Sequence, residues 1–209
     1  AKFDENVLDA TNAWSRQVAD ESELAGLPAN TVRRARQAAE AGGRPGWLLS
    51  LDAPNYQAVM THAESEALRR EFYEAWVTRA SDQGPHAGQW DNSPLMAEIL
   101  ALRSEAANLV GFSNFAEYSI ATKMAHRTGE VLDFLRELAR VSRPAAKREF
   151  AEVEQFAGRS LEAWDVAFYA ERLKRARLDV SEEALRPYFP LRRVLAGLFT
   201  VVTRLYGVR

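Results

Sequence analysis

The residues of this sequence that could perform hydrolytic chemistry are few and scattered. Its 209 residues contain no cysteine, which excludes disulfides, thiolate zinc sites and a cysteine nucleophile within the chain. The three histidines are His62, His86 and His126. No two of them are three to five residues apart, so the H-E-x-x-H spacing that brings two imidazoles to one zinc ion is missing. A solvated or structural histidine is the favoured interpretation of each, ahead of a metal ligand.

The segment RASDQGPHAGQWDN, residues 79–92, gathers several polar side chains between two helical patterns. Its carboxylates, Asp82 and Asp91, could serve as acid and base if the fold held them together. Asp91 also precedes Ser93 and Pro94, which mark a helix start where a side-chain oxygen can accept free backbone N–H groups. A structural connection is therefore favoured over a catalytic loop, which stays the alternative.

Other catalytic and binding motifs are missing as well. The sequence has no G-x-S-x-G elbow, no G-x-x-x-x-G-K-[ST] phosphate loop and no G-x-G-x-x-G turn after a strand. The basic runs RRAR at 33–36 and ERLKRAR at 171–177 lack interleaved aromatic residues, and the net charge is -2. We therefore predict no nucleic-acid partner. We also predict no membrane partner, because no apolar run approaches the ~20 residues that span a bilayer.

The elements that must position these residues follow an almost entirely helical pattern. The first predicted helix has Val7, Thr11, Trp14 and Val18 on one face, and the second covers residues 31–41 with Asn30 as its cap. A helical pattern then runs from Tyr56 to about Arg79 and from Ser93 to Gly111, followed by a short helix capped by Asn114. A long helix extends from a Thr128 cap to Gly158, and the last two cover residues 162–175 and 190–206. Within the long helix, Pro144 should cause a kink or a break, because proline removes a backbone hydrogen bond.

WLLSL at 47–51 is the single strand candidate. Apolar stripes at helical spacing predict buried faces on three of the helices. These stripes are Leu95, Ile99, Leu102, Ala106 and Leu109; Val131, Phe134, Leu135, Leu138 and Val141; and Leu195, Leu198, Phe199, Val202 and Leu205. The predicted fold class is all-α, with at most one short strand.

Eight segments follow one another in an order typical of one enzyme family. They are FDENVLDATNAWS near the start, LAGLP at 24–28, LLSLDAPNYQAVM at 48–60, RASDQGPHAGQWDN at 79–92, MAEILALRSEAANLVGF at 96–112, ATKMA at 121–125, AWDVAFYAE at 163–171 and LRPYFP at 185–190. The set, which covers nearly the whole chain, resembles the thimet-oligopeptidase-like family (M3) of zinc metallopeptidases. The link between Phe156 and Ala163 is shorter than the family pattern.

The resemblance implies a helical enzyme with two lobes around a deep channel that admits short, unstructured peptides. In the family, zinc is held by two histidines of an H-E-x-x-H helix and by a glutamate on a following helix. The glutamate inside the motif acts as general base on the zinc-bound water. No residue here matches those positions, so we assign no catalytic and no metal residue, and the substrate-binding residues stay unknown.

The resemblance also implies what this chain is part of. We expect residues 1–209 to be a single helical fragment of a cytoplasmic zinc metalloendopeptidase, upstream of its zinc-binding region. We expect the fragment by itself to be inactive, to bind no zinc, and to expose apolar surface that allows self-association. Its partners would be short peptide substrates and the missing C-terminal catalytic portion. Segment 79–92 would be a rigid connection, with Arg79 or Asp82 anchoring backbone or lining the channel.

The alternative is a non-enzymatic helical scaffold or adaptor that binds a partner helix. Its grooves would be lined by tryptophans, which are enriched at interface hot spots: Trp14, Trp47, Trp76, Trp90 and Trp164. Tryptophans on apolar helical stripes are more often core residues, and that is the favoured interpretation.

Overall fold

The computed structural model describes residues 2–179 and 185–208, and these are mostly helical. The helices are α1 (Lys2–Ala13), α2 (Ala29–Ala41), α3 (Ala53–His62), α4 (Glu66–Val77), α5 (Ser93–Leu109), α6 (Phe115–Ile120), α7 (Thr128–Ala157), α8 (Val166–Leu178) and α9 (Leu191–Tyr206). Two short strands, β1 (Ser15–Val18) and β2 (Trp47–Ser50), and 3₁₀ turns at Glu21–Leu24 and Arg186–Tyr188 complete the described elements. The prediction of a mostly helical fold is confirmed.

Backbone contacts divide the chain into two compact units, Ala1–Tyr169 and Ala170–Arg209. The first unit contains β1, β2 and the helices from α1 to α7. The second contains most of α8 together with α9. No helix among the described residues combines the length and the hydropathy that a membrane crossing requires.

The strands pair antiparallel and place one face of a small sheet in the core of the first unit. Val18 lies opposite Trp47, and Arg16 lies opposite Leu49. Val18, Trp47 and Leu49 are buried, whereas Ser15, Gln17 and Ser50, at the alternating positions, are exposed. This alternation is what the period of two along a strand produces. WLLSL is therefore confirmed as a strand, and it has a partner that the sequence did not predict.

The placement of Val18 on the N-terminal helix was wrong. α1 ends at Ala13, and the chain extends from Ser15 to pair with β2. Trp14 is also outside α1, in the junction with β1. The i, i+4 spacing of apolar residues continues by coincidence, because Trp14 of the junction and Val18 of β1 point into the same core. Cross-strand pairing decides the conformation here, as tertiary context often does for short segments.

The core of the first unit collects side chains from the sheet, α2, α3 and α4. Trp14 meets Phe72 edge-to-face, with ring centroids 4.8 Å apart. The buried cluster consists of Trp14, Val18, Leu24, Leu27, Ala35, Trp47, Leu49, Leu51, Val59, Met60, Ala63, Leu68, Phe72 and Ala75. This core holds α3 and α4 together, and segment 79–92 follows directly from α4.

Two of the predicted helix caps were wrong. α2 begins at Ala29, and the carbonyl of Pro28 accepts the N–H of Thr31 at 2.9 Å, so Asn30 lies inside the first turn. α7 begins at Thr128 itself, with Arg127 in the cap position. The hydroxyl of Thr128 instead hydrogen-bonds Glu117 of α6. Asn30 Oδ1 accepts the N–H of the next residue, Thr31, at 2.9 Å from within the first turn, whereas Thr128 has a different partner.

Other helix ends follow the sequence signals. Asn114 caps α6, because its Oδ1 accepts the N–H of Glu117 at 2.9 Å. Gly111 ends α5 with a φ of +84°. Its N–H donates to Asn108 O, and the N–H of Phe112 donates to Ala107 O, which is the paired bonding of a Schellman motif.

The expected break at Pro144 does not occur. α7 runs without interruption from Thr128 to Ala157. Proline leaves the carbonyl four residues earlier, that of Arg140, without its helical partner. Arg140 is exposed, so water can satisfy that carbonyl, and the helix continues.

The expected burial of the three apolar stripes was also wrong for this chain. Only Ala107 is buried on α5, and no residue is buried on α7 or α9. Phe134 and Phe199 each keep 66% of their surface exposed. The stripes have helical spacing, yet most of their residues stay exposed and the rest, among them Leu95 and Val131, are only half-buried. Periodicity predicts which face of a helix is apolar and does not supply the partner that covers it.

Candidate functional site

The histidines do not form a metal centre with other ligands in the described residues. No group of three or more histidine, aspartate or glutamate side chains lies close enough there to hold a metal ion. His86 packs edge-to-face on Trp90, with centroids 5.5 Å apart, and the N–H of His126 donates to Glu130 at 3.0 Å. A catalytic zinc ion needs three protein ligands. The described residues do not fit that requirement.

Segment 79–92 is a compact loop closed by backbone hydrogen bonds. The N–H of Asn92 donates to Ala80 O, and the N–H of Gly88 donates to Ser81 O, both at 3.0 Å. Gly84 has a φ of +81°, and a Cβ there would lie 1.9 Å from the Thr78 hydroxyl oxygen. The loop therefore packs against the end of α4 at a place where only glycine fits.

Arg79 anchors the first residue of this loop to two helices. Its Nε donates to the carbonyl of Trp76 at 2.9 Å, and its Nη1 donates to the hydroxyl of Thr11 on α1 at 3.1 Å. The guanidinium lies 3.5 Å from the Trp76 ring centroid. Partial burial lowers the pKa of Arg79 from its usual value, because it disfavours the charged form. These contacts match the backbone-anchoring role considered for Arg79.

Asn92 anchors the last part of the loop to α1. Its Oδ1 accepts from Asn6 Nδ2 at 2.8 Å, and its own Nδ2 donates to Phe3 O at 3.1 Å. Both asparagines are buried. Sequence reasoning placed Asn92 only near a helix start and did not single out Asn6.

The two carboxylates of the loop share no partner. Asp91 Oδ1 accepts the N–H of Ser93 at 2.8 Å, and this hydrogen bond lowers the pKa of Asp91. Asp82 is exposed and makes no hydrogen bond or ion pair with any described residue. Asp91 thus has the local role expected at the start of α5.

The most deeply buried charges were not singled out from the sequence. Arg69 of α4 and Asp165, just before α8, form an ion pair at 2.6 Å, and their side chains are 2% and 0% exposed. Arg69 also donates to the carbonyls of Ala63, Glu64 and Trp164. Its guanidinium lies 4.0 Å from the Phe168 ring centroid. Every face of this cation therefore meets an acceptor or an aromatic ring, as a buried charge requires.

The tryptophans mostly serve the core. Trp14 and Trp47 are buried in it, and Trp76 and Trp164 pack against it. Trp90 is partly exposed and contacts His86. Tyr56 stacks on Trp76 at 4.3 Å. The interpretation as core residues is therefore confirmed for the first four.

Comparison with known proteins relates this arrangement to a family. A sequence model of peptidase family M3 matches residues 59–209. Oligopeptidase A of Salmonella typhimurium is 50% identical over 212 aligned positions, which cover 99% of this chain and 31% of that protein. The probable cytosolic oligopeptidase A of Arabidopsis thaliana is 40% identical over 99% of this chain and 31% of its own length. Dipeptidyl carboxypeptidase of Escherichia coli is 30% identical over 100% of this chain and 31% of its own.

The chain thus spans about a third of the length of these relatives. The match includes the loop at 79–92 with its anchor Arg79, and the Arg69–Asp165 pair, all of which lie inside residues 59–209. The resemblance found in the sequence is confirmed, and the chain belongs to peptidase family M3.

Proposed function

We propose that this chain is part of a zinc metalloendopeptidase of the oligopeptidase class, which hydrolyses short, unstructured peptides. The observation that carries the proposal is 50% identity with oligopeptidase A along 99% of the chain. Identity at that level over whole helices indicates shared packing, and shared packing is what positions a site built from several segments. Zinc bound elsewhere in the full-length protein would activate water and polarise the peptide carbonyl.

Within such an enzyme, this chain would form walls of the two lobes and part of the channel, and would not perform the chemistry. One observation supports that role: α7 and α9 expose apolar stripes that include Phe134 and Phe199, and exposed apolar surface of this kind marks a docking site. The missing catalytic portion would cover these stripes.

The test compares the 209-residue chain with the full-length protein read from the same gene. We expect the full-length protein to contain one zinc per chain by elemental analysis and to cleave an internally quenched unstructured peptide. It should leave a folded protein of similar composition intact, and chelation should abolish cleavage. The 209-residue chain should show neither zinc nor cleavage. A full-length protein without an H-E-x-x-H helix, or without zinc-dependent cleavage, would contradict the proposal.

Product analysis separates two modes of peptide hydrolysis. One relative is named a dipeptidyl carboxypeptidase, and the more similar ones are named oligopeptidases. An endopeptidase releases internal fragments of varied length from a peptide blocked at its C-terminus. An enzyme that removes only C-terminal dipeptides leaves the blocked peptide uncut. We expect internal cleavage of the blocked peptide, detected by mass spectrometry.

The exposed stripes of α7 and α9 also favour a second candidate, a non-enzymatic scaffold that binds a partner helix. The same full-length protein distinguishes the two. A scaffold would bind a helical partner and show neither zinc nor cleavage.

We also propose that the protein works in the cytoplasm. The absence of cysteine is compatible with a reducing compartment. Cell fractionation with an antibody against the chain tests this. Recovery with a membrane or an exported fraction would contradict it.

A further inference from the structure

We propose that residues 158–165, which connect α7 to α8, form a strap held on α4 by a two-part latch, and that Arg159 is the part that can open. The strap begins at Gly158, which ends α7 with a φ of +70°, and it ends at Asp165, directly before α8. It is fastened to α4 at both Arg69 and Glu66. This device lies outside the proposed peptidase chemistry and does not depend on it.

The inner part of the latch is the pair formed by Arg69 and Asp165. Both side chains are out of contact with water, and Arg69 also binds three carbonyl groups. Separating the pair would leave two desolvated charges inside the protein, which is strongly unfavourable. The inner part therefore stays closed as long as the unit is folded, and it determines where α8 begins.

The outer part is Arg159. Its Nη2 lies 2.9 Å from Glu66 Oε2 and 2.7 Å from Asp165 Oδ2, so one nitrogen bridges two carboxylates. The side chain of Arg159 is 38% exposed and that of Glu66 is 50% exposed. Water and salt ions reach both groups, and a displaced Arg159 is hydrated at once. Opening the outer part therefore costs less than separating the inner pair, although it removes one partner of the buried Asp165 carboxylate, and the inner part holds meanwhile.

Opening the outer part leaves the first residues of the strap, 159–162, weakly held, whereas Trp164 stays packed against the core and its carbonyl stays bonded to Arg69. Without Arg159, Asp165 Oδ2 keeps a 3.4 Å contact from the N–H of Glu162. The N–H of Leu161 reaches Glu154 at the same long distance of 3.4 Å. Glu66 then faces the Asp165 carboxylate without the cation between them. The amides of Leu161 and Glu162 are consequently the groups whose exchange with solvent reports on the strap.

Hydrogen exchange of the 209-residue chain, followed by mass spectrometry, tests the proposal. In Arg159→Ala, we expect exchange of the strap to rise roughly tenfold, the loss expected for one charge-assisted hydrogen bond to a buried group. Exchange in α4 and in the β1–β2 sheet should stay unchanged. High salt should also raise the exchange rate of the strap in the unmodified chain. Arg159→Lys should exchange more slowly there than Arg159→Ala. Arg136→Ala, which removes an exposed ion pair on α7, is the matched control and should leave the strap unchanged.

Two outcomes would overturn the proposal. Unchanged exchange of the strap in Arg159→Ala would show that Arg159 does not hold it. If Arg159→Ala accelerates hydrogen exchange equally in the strap, α4 and the sheet, Arg159 stabilises the whole unit and there is no separate outer part. Asp165→Asn provides a second check, since it weakens both parts and should accelerate the start of α8 together with the strap. If Asp165→Asn accelerates exchange only in the strap, the Arg69–Asp165 pair does not hold the start of α8, which contradicts the role given to the inner part.

Discussion

Arg69 and Arg70 are consecutive residues of α4 with opposite surroundings. Arg69 is enclosed by Asp165, three carbonyls and the Phe168 ring. Arg70 pairs with Glu74 on the exposed face, where both side chains keep half or more of their surface in water. The difference follows from the helical period, which rotates adjacent residues by about 100°.

We expect Arg69→Ala to lower the free energy of unfolding by about 3–5 kcal/mol, because it leaves a buried carboxylate and several carbonyls without a donor. Arg70→Ala is the matched control and should cost less than about 1 kcal/mol, since it removes only an exposed ion pair and a contact 5.3 Å from the Trp164 ring centroid. Urea denaturation followed by tryptophan fluorescence measures both, and Arg69→Lys serves if the alanine variant does not fold. Equal losses at the two positions would contradict the description of this buried centre.

The loop at 79–92 offers a second comparison between neighbours. Arg79→Ala should cost about 1–2 kcal/mol, because it removes the hydrogen bonds to Trp76 O and Thr11 and the contact with the Trp76 ring. Asp82→Ala should change stability by less than about 0.5 kcal/mol, as surface substitutions usually do. Thermal unfolding measures both variants. If Asp82→Ala lowers the free energy of unfolding more than Arg79→Ala does, Arg79 is not the main anchor of the loop.

The same pair tests the channel hypothesis in the full-length protein. If Asp82→Ala lowers peptide turnover at unchanged stability, Asp82 contributes to substrate binding. If turnover and stability both stay at the level of the natural protein, Asp82 neither anchors the loop nor lines the channel.

At the scale of elements, the turn between α2 and β2 decides the register of the small sheet. Gly46 has a φ of +77°, and a Cβ there would lie 2.2 Å from the carbonyl oxygen of Val18 in β1. Gly43, in the same turn, has a φ of +64° with nothing within 4 Å of an added Cβ. Backbone conformation alone favours glycine at position 43. At position 46 glycine is required also because β1 approaches closely.

We therefore expect Gly43→Ala to cost about 1 kcal/mol, the usual penalty of a left-handed residue. Gly46→Ala should cost about 1–3 kcal/mol more, because the new methyl group must displace the backbone of β1. Urea denaturation gives the two losses, and hydrogen exchange of the amides of β1 and β2 reports on the sheet itself. Similar losses for the two variants would show that β1 moves aside freely.

At the scale of the whole molecule, the exposed apolar stripes of α7 and α9 should govern its behaviour in solution. We expect the 209-residue chain to self-associate with increasing concentration and to bind a hydrophobic dye. Leu138→Glu and Phe199→Glu should each reduce both effects, whereas Gln155→Glu, at an exposed polar position of α7, should not. Analytical ultracentrifugation measures association. A strictly monomeric chain at high concentration, with little dye binding, would argue against these stripes as docking surfaces.

Helix ends were predictable where the deciding contacts are local. Gly111 and Asn114 act within a few residues of themselves, and their roles follow from side-chain chemistry and backbone sterics. Asn30 and Thr128 carry equally suitable side chains and do not cap. Thr128 has a competing partner, Glu117, which is 11 residues away. Such competition is invisible in a window of one helical turn.

The sequence by itself determined that the chain is mostly helical, which helix faces are apolar, and to which family it belongs. Those properties depend on periodicity and on the order of motifs, both of which are written along the chain. Only the tertiary structure decided that Ser15–Val18 is a strand, that Asn6 binds Asn92, and that Arg69 meets Asp165. The partners in the last two pairs are 86 and 96 residues apart. At such separations, contacts are set by how the core packs, and no local preference of either residue specifies the other.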